Sequence, residues 1–244
     1  MKSSYIPYCL LSIALIVASC SNTKYLKEGE LLYVGGKVKI EDSIIKNSER
    51  KDLQNELKSL LRPKPNSSIL GLRPKLLIYN LAGEPKKEKG IRYWLRSKVG
   101  EKPVLFSEVD LEYNADVLQS NMENRGYFKA RTSADSTRSG KKATAEYVVK
   151  PRVQYKIREI NFPQDSTELA AAIRKITRRS ILKTEQPYSL ENIKAERERI
   201  NDRLKQRGFY YFNPDYILAK VDSTVGKNQV DITLTIKEEM PSNA

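Results

Sequence analysis

The 244-residue sequence contains no histidine, and its only cysteines are Cys9 and Cys20. Without imidazole, Ser-His and Cys-His nucleophile pairs and histidine-ligated metal centres are excluded. A glycine-rich phosphate loop is missing, and so is any GXXG sequence. The N-terminal apolar run from Tyr8 to Ala18 is far shorter than the roughly 20 residues that cross a bilayer as a helix. Carboxylates remain for acid–base chemistry: Glu191, Glu196 and Glu198 along a charged helix, and Glu238-Glu239 at a strand end. In those settings they are expected to be solvated structural charges. No catalytic residue, metal ligand or cofactor is therefore expected, and an enzyme is the least favoured class.

Positive charge is abundant instead. Lys and Arg number 44 against 30 Asp and Glu, a formal net charge of +14. Such a surface draws nucleic acid, anionic membranes or acidic proteins, and the compartment decides which is within reach. Lys2, the apolar run and then Val17-Ala18-Ser19-Cys20 have the order of an export signal, and the last four residues resemble a bacterial lipobox. That resemblance implies that residues 1–19 are a lipoprotein signal peptide, cut between Ser19 and Cys20, and that Cys20 is acylated. Each buried methylene contributes about 0.8 kcal/mol and two chains already anchor stably, so an acylated Cys20 stays on its membrane. Ser21 in place of aspartate argues, under one sorting code, against retention at the inner membrane. An ordinary secretory signal with an incidental cysteine, or a Cys9–Cys20 disulfide, is the alternative.

Within 153–239 the apolar period switches from strand to helix, to helix again, and back to two strands. Val153, Tyr155 and Ile157 alternate with polar residues, and the pattern resumes out of phase at Ile160 and Phe162, which predicts a bulge near Glu159. Ser166 is placed to cap a helix with Leu169, Ala172, Ile173 and Ile176 on one stripe, and Ser189 a second with Leu190, Ile193, Ile200 and Leu204. Glu196, Arg197, Glu198 and Arg203 are assigned to the wet side. Gly208 ends this helix, and the aromatic run Phe209 to Phe212 favours extended chain. Ile217, Ala219 and Val221 alternate along one strand, and Val230, Ile232, Leu234 and Ile236 along the last.

Sliding the chain against itself by 82 residues aligns Phe106-Ser107 with Tyr188-Ser189, Leu111 with Ile193, Leu118 with Ile200, Met122 with Leu204, and Arg125-Gly126-Tyr127 with Arg207-Gly208-Phe209. The same unit is thus expected twice. In the first copy Ser107 and Asp110 have capping-box spacing. A strand is expected from Tyr127 to Thr132, a polar turn from Ser133 to Lys142, and a strand through Ala145, Tyr147 and Val149. Upstream, Leu32 to Ile40 reads as a strand bent at Gly35-Gly36. Ser48 then caps a helix carrying Leu53, Leu57, Leu60 and Leu61, which Pro63 ends. The expected architecture is α+β: a module over 30–150 with a basic insertion at 62–102, a second over 153–239, and a tail at 240–244. Each module is β-α-α-β-β, a three-stranded mixed sheet covered by two helices.

An acylated cysteine followed by tandem modules of this order, each with an Arg-Gly-aromatic step after the second helix, resembles the POTRA portion of outer-membrane assembly factors of the BamA/TamA family. Lys24-Tyr25-Leu26, Leu70-Gly71, Leu77-Ile78-Tyr79-Asn80-Leu81 and Lys89-Gly90-Ile91-Arg92-Tyr93-Trp94-Leu95 are similar to its lipoprotein, TamL-like version. The family continues into a sixteen-stranded barrel, whereas this sequence ends at Ala244, and the barrel's role is not carried over. The resemblance implies a lipid-anchored protein of the outer membrane that faces the periplasm. Its implied partners are outer-membrane protein precursors and a TamB-like inner-membrane protein. Binding would be by strand addition to an open sheet edge, which in this family is the second strand. Here that strand corresponds to Phe128, Lys129, Ala130, Arg131 and Thr132 in one module, and to Tyr216, Ile217, Leu218, Ala219, Lys220 and Val221 in the other. A lipoprotein that merely spaces is the alternative. A KH-like nucleic-acid binder also has two helices and three strands, but it needs the GXXG clamp that is missing, so no nucleic-acid partner is expected.

The insertion concentrates the charge: Lys51 to Lys102 holds thirteen Lys or Arg against five Asp or Glu. A short helix from Lys89 to Val99 would gather Ile91, the single tryptophan Trp94 and Leu95 on one face, with Arg92, Arg96 and Lys98 beside them. Tryptophan flanked by cations suits an anionic lipid surface, which makes Arg92, Trp94, Arg96 and Lys98 candidate membrane-facing residues. Alternatively, Ile91 and Trp94 simply cover their own module.

Overall fold

The structure is a computed structural model that describes residues 22–41 and 45–237. The expected signal peptide with Ser19 and Cys20, and the tail at 240–244, lie outside the described residues. Among those residues the elements run β1 (Leu32–Ile40), α1 (Asn47–Leu60), α2 (Pro74–Ala82), α3 (Ile91–Trp94), α4 (Leu111–Asn124), β2 (Arg131–Ser139), β3 (Lys142–Lys150), β4 (Lys156–Asn161), α5 (Glu168–Arg174), α6 (Leu190–Lys205), β5 (Ile217–Asp222) and β6 (Gln229–Ile236). The strands make two three-stranded sheets, ordered β1-β3-β2 and β4-β6-β5, and the class is the expected α+β. By contact the described residues divide into two compact units. Among them the first is drawn from 22–39, 53–115 and 133–147, the second from 40–41, 45–52, 116–132 and 148–237.

In the second unit β6 is central, parallel to β4 and antiparallel to β5. Its alternation holds: Val230, Ile232 and Leu234 are buried. Pairing to β4 steps from Ile157↔Val230 to Glu159↔Asp231. Arg158 is therefore the extra residue of the expected bulge, and its guanidinium pairs with Asp231 across the strands. Leu169, Ala172, Ile173, Ile193, Ile200 and Leu204 cover the sheet and share its core with Tyr155, Tyr188 and Phe212.

Ser189 caps α6 by accepting the Asn192 N–H at 3.3 Å. The cap of α5 is Thr167, which accepts from Ala170 at 3.2 Å, and not the neighbouring Ser166. Past α6, Gly208 sits at φ +100° and donates to the Lys205 carbonyl at 3.2 Å, while Phe209 donates to Leu204 at 3.1 Å. Past α4, Gly126 at φ +88° donates to Glu123 at 2.9 Å and Tyr127 to Met122 at 3.0 Å. Both helix ends are the same Schellman arrangement, so the 82-residue repeat is a repeat of backbone geometry. The aromatic run does not extend as expected. Phe212 donates back to Phe209 at 3.2 Å and is buried, because Gly208 reverses the chain and only a turn returns this ring to the core.

In the β1-β3-β2 sheet and its surroundings β1 has the expected limits, and its burial changes phase at Gly35-Gly36. A Cβ on Gly36 would run into Leu61, so glycine allows the end of the α1 segment to approach the strand. The α1 stripe is as expected at Leu53, Leu57 and Leu61, but the helix starts at Asn47, which puts Ser48 inside the first turn and not at its cap. Helix α2 was not foreseen. Pro74 at its first turn fixes the entry, and Leu76 packs with Leu26 and Leu32. Asn22 donates to the Arg73 carbonyl at 3.2 Å and Lys141 to the Leu26 carbonyl at 2.9 Å, so the Lys24-Tyr25-Leu26 stretch is tied to this platform. Ser107 falls in a short 3₁₀ turn; Asp110 caps α4 instead, accepting from Tyr113 at 2.9 Å. The segment expected as a polar turn, Ser133 to Lys142, is mostly strand: β2 reaches Ser139 and the reversal is confined to Gly140-Lys141.

Candidate functional site

A three-stranded sheet has two outer strands, and their main-chain groups are free for a partner only where nothing else covers them. In the second unit β4 is covered. Ile157 donates to Gln186 at 2.9 Å and accepts from Glu185 at 2.8 Å, and Tyr155 accepts from Tyr188 at 2.9 Å. The open edge is β5.

Alternation along β5 identifies the groups that face outward. Lys237 donates to the Tyr216 carbonyl at 2.9 Å, so Tyr216 points its polar groups toward the β6 side. Two-residue periodicity then turns Leu218 and Lys220 to β6 and Ile217, Ala219 and Val221 to the open side. The Ile217 N–H already bonds to Pro214. What β5 offers is therefore the N–H and C=O of Ala219 and Val221. Their side chains pack on the core, while Leu218, 41% exposed, and Lys220 lie on the other face. Arg197 of α6 fixes the entry to the strand with two bonds to the Pro214 carbonyl, at 3.0 and 2.9 Å, and one to Asp215 at 2.8 Å.

The β1-β3-β2 sheet repeats the logic with β1 covered. Tyr33 donates to Val104 and Phe106 to Leu31, at 2.9 and 2.8 Å, leaving β2 outermost. Its side chains are mostly exposed, and the Thr132 N–H is held by the Gln119 side chain at 3.4 Å. Of the residues proposed from sequence, Arg131, Thr132, Ile217, Leu218, Ala219, Lys220 and Val221 are in edge strands. Phe128, Lys129 and Ala130 belong to the turn before β2, and Tyr216 to a 3₁₀ turn (Pro214–Tyr216). These four are corrections: Tyr127 closes the turn by accepting from Ala130 at 2.9 Å, and Asn213 caps the 3₁₀ turn.

In the insertion the expected helix is α3 followed by a π turn (Leu95–Val99). Ile91 is 77% and Trp94 56% exposed, so neither covers its module. Ile69, Leu70, Leu72 and Leu81 are exposed as well, which places six large apolar side chains on the surface of the insertion. Arg92 and Lys98 are solvated. Arg96 is engaged instead: its guanidinium stacks 4.0 Å from the Tyr79 ring centroid and donates to the Tyr79 hydroxyl at 2.9 Å.

One charge assigned to the wet side of α6 is in the core. Glu196 has no exposed surface, accepts the Ile181 N–H at 2.9 Å, and takes two bonds from Arg199 at 2.8 and 2.7 Å. Its spacing, three after Ile193 and four before Ile200, is core spacing.

Residues 155–239, which run from just before β4 to just past β6, match the POTRA family model, described as surface antigen variable number repeat. No curated protein matches the chain. Similar solved structures include POTRA1-3 of the periplasmic domain of Omp85 from Anabaena, at 12% identity and TM-score 0.38, over 85% of this chain and 62% of that one. POTRA3-5 of Haemophilus influenzae BamA matches at 13% identity and TM-score 0.34, over 87% and 99%. CdiB from Escherichia coli matches at 11% identity and TM-score 0.30, over 95% and 33%. The chain thus spans less than two thirds of that Omp85 fragment.

Proposed function

We propose that this chain is the periplasmic POTRA region of an outer-membrane assembly lipoprotein of the TamL-like kind, organised as modules at 30–150 and 153–239, and that it docks extended segments of client proteins or of an inner-membrane partner. The observation that carries the reading is the open edge of β5, with β4 covered at the opposite edge of the sheet, within the residues that match the POTRA model. Main-chain bonds at Ala219 and Val221 give affinity with little demand on client sequence, which suits a factor that handles many barrel precursors. No chemistry is required of it. A photo-crosslinker at Lys220 or Thr132 is expected to capture unfolded barrel precursor, and one at Lys194 on the exposed side of α6 is not. Equal or no capture at all three positions would leave a mere spacer.

The anchor in this proposal is an acylated Cys20, with cleavage after Ser19, holding the protein on the periplasmic face of the outer membrane. Cys20→Ala is expected to leave the outer-membrane fraction and to lack acyl mass at its N-terminus; unchanged fractionation would end that part of the reading. The exposed apolar side chains of the insertion, with Arg92 and Lys98 among them, support contact with anionic lipid. Trp94 should emit as a solvated indole and shift to the blue, in a salt-sensitive way, when anionic vesicles are added. Emission that is already blue, or indifferent to vesicles, would assign the tryptophan to the protein interior.

A further inference from the structure

A cleft of about 520 Å³ opens in the second unit where the ends of α5 and α6 meet. Its charged lining is Lys175, Arg178, Arg179, Arg199, Arg203 and Arg207, with Ile176 and Gln206 completing the wall and no carboxylate among the lining residues. Arg199 is neutralised. Its guanidinium is held by the buried Glu196 and donates to the Ile176 carbonyl at 3.2 Å, so it forms a fixed side of the cleft. The other five cations have no ion-pair partner among the described residues, and the one side-chain bond they make is Arg203 to Gln206 at 2.9 Å.

Helix dipoles explain only part of this. Each helix C-terminus has roughly half a negative charge, so two such ends offset about one of the five. All five are exposed, so water and salt screen much of their mutual repulsion, and a multivalent anion in the concavity would relieve what remains. Four of the five are arginines, whose planar forks match the oxygens of phosphate in pairs. The volume admits a small group with several negative charges and not a folded partner.

We propose that this cleft binds a compact polyphosphorylated group, from a phospholipid headgroup or a soluble phosphate compound, at a site separate from the β5 edge. The test uses the full chain in neutral detergent at low salt, titrated with inorganic pyrophosphate by calorimetry. Cosedimentation of the Cys20→Ala protein, without anchor or detergent, with neutral vesicles and with vesicles containing diacylglycerol pyrophosphate distinguishes the two sources. Saturable pyrophosphate binding is expected. It should weaken about tenfold in Arg179→Gln alone, since one lost charge-assisted bond removes about 1.5 kcal/mol, and by more than about a hundredfold in Arg178→Gln/Arg179→Gln/Arg207→Gln. Lys51→Gln/Lys58→Gln/Lys142→Gln removes the same charge elsewhere and should change binding less than about twofold. Vesicle binding that needs diacylglycerol pyrophosphate and is lost in the arginine variant assigns the headgroup; pyrophosphate binding without it assigns a soluble ligand. Equal weakening in the two triple variants, or no saturable binding, overturns the proposal and leaves strand docking untouched.

Discussion

Replacing Glu196 with alanine is expected to cost about 3 kcal/mol of stability. Its carboxylate, fully buried, connects the segment around Ile181 to α6 through the Ile181 N–H and the Arg199 fork. Alanine would strand both donors. An unpaired buried N–H costs about 1–3 kcal/mol, and breaking a buried ion pair from one side costs about 3–5 kcal/mol. Arg199 keeps 15% of its side-chain surface in water, which moves the estimate toward the lower end. Thermal unfolding should shift down by roughly 6–12 °C. Glu196→Gln keeps an acceptor for Ile181 and should lose less. A Glu196→Ala variant within about 1 kcal/mol of the parent in urea unfolding would mean that the pair is not formed in solution.

The same residue shows where sequence reading stops. Glu196 occupies a core position by spacing, but its charge assigned it to the solvent side; only the partners supplied by Ile181 and Arg199, close in space, reverse that assignment. Strand β2 failed for the opposite reason. Ser133 to Ser139 has little apolar alternation, because β2 leaves most of its side chains exposed, so it read as a turn. The caps at Ser166 and Ser107 were misplaced by a second capping residue one and three positions away, and that at Ser48 because its helix starts one residue earlier, at Asn47. What was legible rested on strong local signals: the period-two run of β6, the phase slip that became the Arg158 bulge, and the two glycines that close α4 and α6 in the same way. Which edges are open came from the family resemblance and was not legible in periodicity, since what covers β1 and β4 is chain outside the strands themselves.

Ala219→Pro is expected to reduce capture of an extended client at β5 by at least about tenfold while the protein stays folded. The Ala219 N–H points away from β6, so proline removes an outward donor and no ladder bond, the one strand setting in which proline is tolerated. Its ring also fills the space that an incoming strand would occupy. Lys220→Pro, by contrast, would break a bond toward Thr233, its register partner in β6, and should unfold the hairpin. The most direct measurement is therefore the anisotropy of a labelled peptide with the alternating pattern of a barrel strand, titrated with the parent chain and with Ala219→Pro, each shown to be folded by circular dichroism. Docking by strand addition predicts saturable binding to the parent and at least tenfold weaker binding to the variant; equal binding to a folded Ala219→Pro protein would contradict it.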